Sequence, residues 1–305
     1  MPLLNSEYLS NWYTLSFDGV GTDGTRICIA ESFTQAKVQE ASNKSAIQGD
    51  IGTHIMDIGG KYYTSSVSAP VLIGYTTSDV FDVFDLIGYY ATYQSNTVPN
   101  NFFNKPDGNV YLLKSATIDI SADAVKATAN FEGDNRVDIA TYVSNAPQDL
   151  YARTARFYDT KFTLGLIGAS SETFSGNILS GSININFDID KVYILNSTQA
   201  PRFAIRGYSA TGSIKLAITP ELYATILDDP TIITGSEQTP GFLNTTFSGA
   251  ELLIAPFVTN GRKVILGAYA VITKIEFNMQ QNSIITANVE FAAFFNKSSS
   301  IVTNI

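Results

Sequence analysis

Apolar and polar residues alternate without a break in Ile183-Asn184-Ile185-Asn186-Phe187-Asp188-Ile189-Asp190. Successive side chains of a β-strand point to opposite faces, so this run predicts a strand with one buried and one wet face. The same period recurs in Ile118-Asp119-Ile120-Ser121, in Ile214-Lys215-Leu216-Ala217-Ile218 and in Ile275-Glu276-Phe277-Asn278-Met279. Strands solvated on one side belong to antiparallel sheets, so a mainly β fold is expected. Two stretches switch to helical spacing. Ser78 is placed to cap the first, where Val80, Val83, Phe84, Ile87 and Tyr90 form a stripe running to Tyr93. Asp79, Asp82 and Asp85 fall in its early turns, where the helix dipole favours acids. The second opens Thr219-Pro220-Glu221 and carries Leu222, Tyr223, Ile226 and Leu227 on one side. Asp228-Asp229-Pro230 ends it.

Taken in order, these elements repeat. Each half reads strands, helix, loop and a closing hairpin, at residues 111–132 and 268–291. Thr128-Ala129-Asn130-Phe131-Glu132 matches Thr286-Ala287-Asn288-Val289-Glu290, and Thr117-Ile118-Asp119-Ile120 resembles Lys274-Ile275-Glu276-Phe277. Ile58-Gly59-Gly60-Lys61-Tyr62 before the first helix parallels Ile205-Arg206-Gly207-Tyr208 before the second. Self-similarity at half-chain spacing points to duplication. The expectation is two tandem antiparallel β-sandwich or barrel domains, residues 1–147 and 148–305, each with one flanking α-helix. Their boundary falls near Pro147, in Ser144-Asn145-Ala146-Pro147-Gln148.

Composition supports a folded protein with shared surfaces. Of 305 residues, 45% are hydrophobic and only 15% charged, so Ser, Thr, Asn and Tyr carry much of the polar contact. A net charge of −9 disfavours a phosphate-binding surface. The one cysteine, Cys28, sits in the apolar run Arg26-Ile27-Cys28-Ile29-Ala30 and is expected to be a buried structural thiol. Met1-Pro2-Leu3-Leu4-Asn5-Ser6-Glu7 lacks the order of a secretory signal, and no run of about 18 apolar residues exists. Synthesis in the cytoplasm as a soluble chain is the expectation, and the Asn-x-Ser/Thr triplets at Asn43, Asn196, Asn244 and Asn296 then carry no meaning.

Candidate chemistry is thin. His54, the only histidine, would have to serve any Ser-His-Asp or Cys-His arrangement, and it reads as structural. Gly19-Val20-Gly21-Thr22-Asp23-Gly24 fits a dinucleotide fingerprint in letters, but strand-like Thr25-Arg26-Ile27-Cys28-Ile29 comes next in place of a helix. A hairpin turn is the better reading. Asp188 and Asp190 share a wet strand face and could in principle do acid/base work, yet a solvated face explains them. Tyr62-Tyr63, Tyr89-Tyr90 and Phe102-Phe103 could stack on sugar or base rings, but without interleaved basic residues they read as packing and subunit contact. No catalytic residue, cofactor or metal is expected.

The second half resembles the tail-tube domain of contractile and long-tailed phages. The likeness rests on Leu179-Ser180-Gly181-Ser182-Ile183-Asn184-Ile185-Asn186-Phe187, on Ala200-Pro201-Arg202-Phe203-Ala204-Ile205-Arg206-Gly207-Tyr208, on Thr211-Gly212-Ser213-Ile214-Lys215-Leu216, and on the closing hairpin. The first half is similar through its helix and hairpin. The resemblance implies small β-sandwich or barrel domains whose inner sheets join into rings. Those rings stack into a tube through which viral DNA passes without specific binding. Rings would be hexameric, or trimeric and pseudo-hexameric because each chain carries two domains. The chain would then lie in the virion tail, with sheath, baseplate and terminator proteins as further partners and no membrane. Asp119, Ser121, Glu276 and Asn278 would line the channel. Ring stacking would use long loops at residues 38–52 and 191–201, marked by Val38, Lys44, Gly52, Lys191 and Pro201. A second domain and a Thr-, Gly- and Ser-rich loop at residues 231–249 depart from a simple tube subunit. A baseplate hub or tail-end adaptor ring is the alternative, and a carbohydrate-binding β-sandwich of the virion is a further one.

Overall fold

A computed structural model describes residues 13–16, 27–44, 55–73, 80–95, 111–134, 138–139, 153–166, 172–175, 178–192, 202–219, 246–254, 262–267 and 269–294. The first half contains β1 (Tyr13–Ser16), β2 (Ile27–Ala30), β3 (Ser32–Lys44), β4 (Ile55–Pro70), β5 (Leu72–Ile73), β6 (Val80–Phe81), α1 (Val83–Ser95), β7 (Tyr111–Ile120), β8 (Val125–Gly133) and β9 (Asp138–Ile139). The second contains β10 (Arg153–Thr154), a 3-10 turn (Phe157–Asp159), β11 (Thr160–Leu166), β12 (Glu172–Ser175), β13 (Ile178–Val192) and β14 (Arg202–Ala217). It ends with β15 (Thr246–Ile254), β16 (Arg262–Gly267), β17 (Tyr269–Asn278) and β18 (Thr286–Phe294).

The fold is mainly β, built on one antiparallel sheet of 12 strands. Its path is β12-β11-β15-β17-β18-β14-β13-β7-β8-β4-β3, with β16 paired to β15. The sheet crosses from the first half of the chain to the second without a break, because β7 pairs with β13 from Ser115↔Asn186 to Ile120↔Gly181. A smaller sheet runs β6-β2-β1-β9, and β5 pairs with β10.

Alternation does what the sequence predicts. Along β13, Ile183, Ile185 and Phe187 are buried while Asp188 is exposed. The apolar face continues through Ile118 and Ile120 of β7, Ala127, Ala129 and Phe131 of β8, Ile214 and Leu216 of β14, and Val289 and Phe291 of β18. Helix α1 covers this face in the first half, with Tyr90 packed edge-on against Phe131 at 5.0 Å between ring centroids. Its buried Gln94 binds the backbone of Leu113, donating to the carbonyl at 2.9 Å and accepting from the N–H at 2.6 Å. The side chain thus serves β7 as a partner just beyond the reach of β13. In the second half β15 meets β17 only at Thr246↔Val271 and Phe247↔Ala270. Strands β11, β15 and β16 then fold over the apolar face, and Phe162 meets Phe291 at 4.8 Å.

Three expectations need correction. The first helix begins at Val83, not after Ser78, because Asp82 caps it by accepting the Asp85 N–H at 3.0 Å. The same carboxylate accepts the Leu72 N–H at 3.0 Å, and Val80–Phe81 join the small sheet beside β2. Val38 and Lys44 are not in a loop. They lie on β3, which stays paired with β4 to Lys44↔Ile55 by bulging between Gln39 and Ala41. Lys191 also lies on a strand, paired with Phe203. The second predicted helix, Gly52, His54, Pro201 and the stretch around Pro147 fall outside the described residues.

Gly212 sits opposite Ile183 and Phe291 in the sheet. A Cβ there would come within 2.6 Å of the Phe291 ring. Gly212→Val is therefore expected to displace the Phe162–Phe291 pair and to cost about 1–3 kcal/mol. A urea titration against Gly212→Ala, which should lose less, checks this.

Candidate functional site: a polar sheet face and its strand edges

The face opposite the core is a continuous polar surface spanning both halves. Hydroxyl and amide side chains bridge its strands in place of apolar packing. Thr117 donates to Asn184 at 2.9 Å, Ser182 to Asp119 at 2.6 Å, Asn130 to Ser115 at 3.0 Å and Ser213 to Asn288 at 2.6 Å. Such cross-strand pairs hold register at low charge density.

Asp119, Glu276 and Asn278 all stand exposed on this face. They do not converge, because β13, β14 and β18 lie between β7 and β17, a separation of about 19 Å at the usual strand spacing. Ser121 lies in the turn after β7, bonded to the Ala124 carbonyl at 2.7 Å. Glu276 meets Lys274 at 2.8 Å, and this hydrogen bond and charge hold its carboxyl below the ordinary value.

A charge network missed by sequence reasoning spans the joint between halves. Buried Glu132 of β8 meets Lys114 of β7 through one oxygen and Lys191 of β13 through the other, the latter at 3.0 Å. The Lys191 ammonium also stands 3.8 Å from the centroid of the buried Tyr62 ring. Burial alone would lower the Lys191 pKa, but Tyr62 and Glu132 together outweigh it and raise it. Lys191 therefore fastens the second half of the chain to the first. Only its closeness to an apolar-polar strand end was visible in the sequence, and partners 59 and 129 positions away have no local signature.

Among the described residues, the remaining candidates stand as follows. Cys28 is fully buried, and burial, with Asp82 and Asp85 adding to it, pushes its thiol well above the ordinary value. Asp190 is paired with Arg206, so it does not act with Asp188 as a bare carboxylate pair. The glycine-rich stretch lies outside the described residues, but the chain beyond it enters strand β2, paired antiparallel with β1. Tyr62 is covered and Tyr63 has Lys37 at 5.5 Å from its ring centroid, so neither offers the open platform that sugar stacking needs. A groove of about 440 Å³ crosses the polar face between Thr34, Ser66, Asn130 and Lys114. Its one aromatic lining residue, Phe131, is 1% exposed. Among the described residues no group of acids, histidine or cysteine could hold a metal, and no helix is long and apolar enough to cross a membrane.

The sheet path ends at β12 and at β3, and β17, inside it, is paired on one side only over part of its length among the described residues. Among the described residues β3 pairs only with β4, and β17 beyond Val271 pairs only with β18. Both are long, and an open strand edge is a template for another chain. No protein-family model matches this sequence, and no curated protein matches it.

Proposed function

We propose that the chain is a structural subunit of a phage-type tail tube, built from a duplicated domain and assembled through its sheet edges. The observation that carries this reading is the joint inside the chain. Strand order β3-β4-β8-β7 in the first half recurs as β13-β14-β18-β17 in the second, and the two units meet edge to edge through β7 and β13. In this reading β17 of one copy meets β3 of the next as β7 meets β13. A head-to-tail contact of this kind closes into a ring when its rotation allows, and three copies would present six units. Closure would pair β3 and the one-sided part of β17.

The polar face then forms the channel wall, with Asp119, Glu276 and Asn278 on it and Ser121 at its rim. Hydroxyls, amides and an acidic balance give DNA little to hold, which suits passage without binding. Ring stacking falls to the connections at residues 45–54 and 193–201, which leave the ends of β3 and β13. A hub ring would use the same edges without stacking.

Negative-stain electron microscopy of the purified protein at several concentrations tests this. Hollow tubes of uniform width, with three copies per ring, are the expected result. Discrete rings at every concentration would favour the hub, and monodisperse monomers would overturn both.

A further inference from the structure

The groove on the polar face is built by the first half of the chain alone. Thr34, Ser66, Asn130 and Ser115 stand in one transverse row, each paired directly with the next across β3, β4, β8 and β7. Three strand spacings make this row about 14 Å long. Its side chains are short, and the pair Ala36↔Thr64 continues the low floor one row along. Lys114 and Glu132 form the wall. Strand β7 bulges at Lys114, since Leu113 pairs with Phe131 and Ser115 with Asn130, the next residue of β8. A bulge re-aims a side chain, and here the ammonium turns to Glu132.

What the groove offers is hydrogen bonding and one charge. Among the described residues the hydroxyls of Thr34, Thr64 and Ser66 have no hydrogen-bond partner. Ser115 accepts from the Asn130 amide at 3.0 Å and keeps its own O–H to donate. Lys114 spends one of its three N–H donors on Glu132, and its side chain is 55% exposed. Lys114 and Lys191 answer a single carboxylate, so two positive charges and one negative leave these three groups at +1.

We infer that this groove binds a small polyhydroxy carboxylate of the sugar-acid class, its carboxylate on Lys114 and its hydroxyls on the row of Ser, Thr and Asn side chains. The charge selects the acid over a neutral sugar. A neutral sugar would need an aromatic face to stack on, and the groove's one aromatic ring, Phe131, is 1% exposed. The floor selects a hydroxylated acid over a bare one. Each hydroxyl there both donates and accepts, as water does, so ligand hydroxyls can replace the floor's hydration one for one. A volume of about 440 Å³ lies within the roughly 300–1,000 Å³ of small-molecule sites. All of the lining residues belong to one half of one chain, so the site stands apart from the assembly proposed above.

Saturation-transfer NMR on the full chain tests it, with D-glucuronate, D-glucose and acetate as probes. Glucuronate is expected to bind in the millimolar range, and the other two about tenfold more weakly or worse. Lys114→Met should weaken glucuronate about tenfold and Thr64→Val about threefold, with circular dichroism showing both variants folded. Lys114→Arg keeps the charge and should keep the binding, which separates a lost contact from a damaged fold. Absence of glucuronate binding by the parent would overturn the site. So would binding that Lys114→Met leaves unchanged, because the ligand would then sit elsewhere. Glucose bound as well as glucuronate would overturn the role of the charge, and acetate bound as well would overturn that of the hydroxyl floor. Rings or tubes in micrographs bear on the assembly alone, so either reading can fail without the other.

Discussion

Glu132→Ala is expected to lower the unfolding temperature by about 4–6 °C, from a loss of about 3 kcal/mol. Glu132 is buried and answers two ammonium groups at once. Of these, Lys114 is half-exposed and can return to water, but Lys191 keeps only 18% of its side chain exposed. Removing the carboxylate leaves a buried cation over Tyr62 with its main counter-charge gone. Breaking one side of such a pair costs more than replacing the whole pair with apolar groups. The combination Glu132→Leu with Lys191→Met should therefore recover most of the loss. Differential scanning calorimetry on the three proteins decides the matter. A Glu132→Ala protein melting within a degree or two of the parent would mean that the strand pairing of β7 with β13 holds the halves together unaided. The pH dependence has a defined sign. Lys191 titrates higher in the folded chain, so its contribution is complete below the ordinary lysine range and fades as pH rises through the raised value. Neutral and mildly acidic buffers should give the same difference between parent and variant.

Part of this architecture was legible because it repeats with period two. The runs at Ile118, Ile183, Ile214 and Ile275 each keep one face wet, and β7, β13, β14 and β17 coincide with them. The helix was legible from its stripe, but its start was not. Val80 and Phe81 continue the apolar pattern upstream, and only the tertiary pairing with β2 shows that they are strand. Strand β3 was illegible for a different reason. Ser32–Lys44 lies at a sheet edge, mostly exposed where its side chains are described, and a bulge after Gln39 resets its period. A strand with little to bury carries little hydrophobic pattern.

The letter matches between the two halves fall on strands, but the strand pairings do not follow them residue by residue. Thr128-Ala129-Asn130 and Thr286-Ala287-Asn288 occupy matching strands β8 and β18. Their partners are not those that letter matching suggests, since Thr128 faces Thr117 while Thr286 faces Asn278. The second hairpin is paired in a shifted register and turns through a longer, more apolar tip. The candidate site was legible only as a wet face. That β7 and β13 join the two halves edge to edge depends on a pairing between strands far apart in sequence.

Phe277→Asp is expected to abolish assembly while leaving a folded chain. Phe277 lies on the apolar side of β17, opposite Ala287, and is only partly buried. In the isolated chain a carboxylate there can reach water, so the fold should lose no more than about 1–2 kcal/mol. In the proposed ring the position becomes covered by β3 of the next copy, whose partly buried Phe33 lies on the same side of the sheet. A buried, unpaired carboxylate costs several kcal/mol, and about 4 kcal/mol at each junction would weaken association roughly a thousand-fold. Ile120→Asp provides the contrast. Ile120 stands at the joint inside the chain, paired with Gly181 and 2% exposed. Its cost falls on folding itself, and that variant should be unstable or insoluble as a single chain. Sedimentation velocity with circular dichroism reads both quantities. Tubes or rings formed by folded Phe277→Asp protein at the parent concentration would show that β17 is not the joining edge. Loss of the fold in both variants would show instead that the β17 edge is closed within the chain.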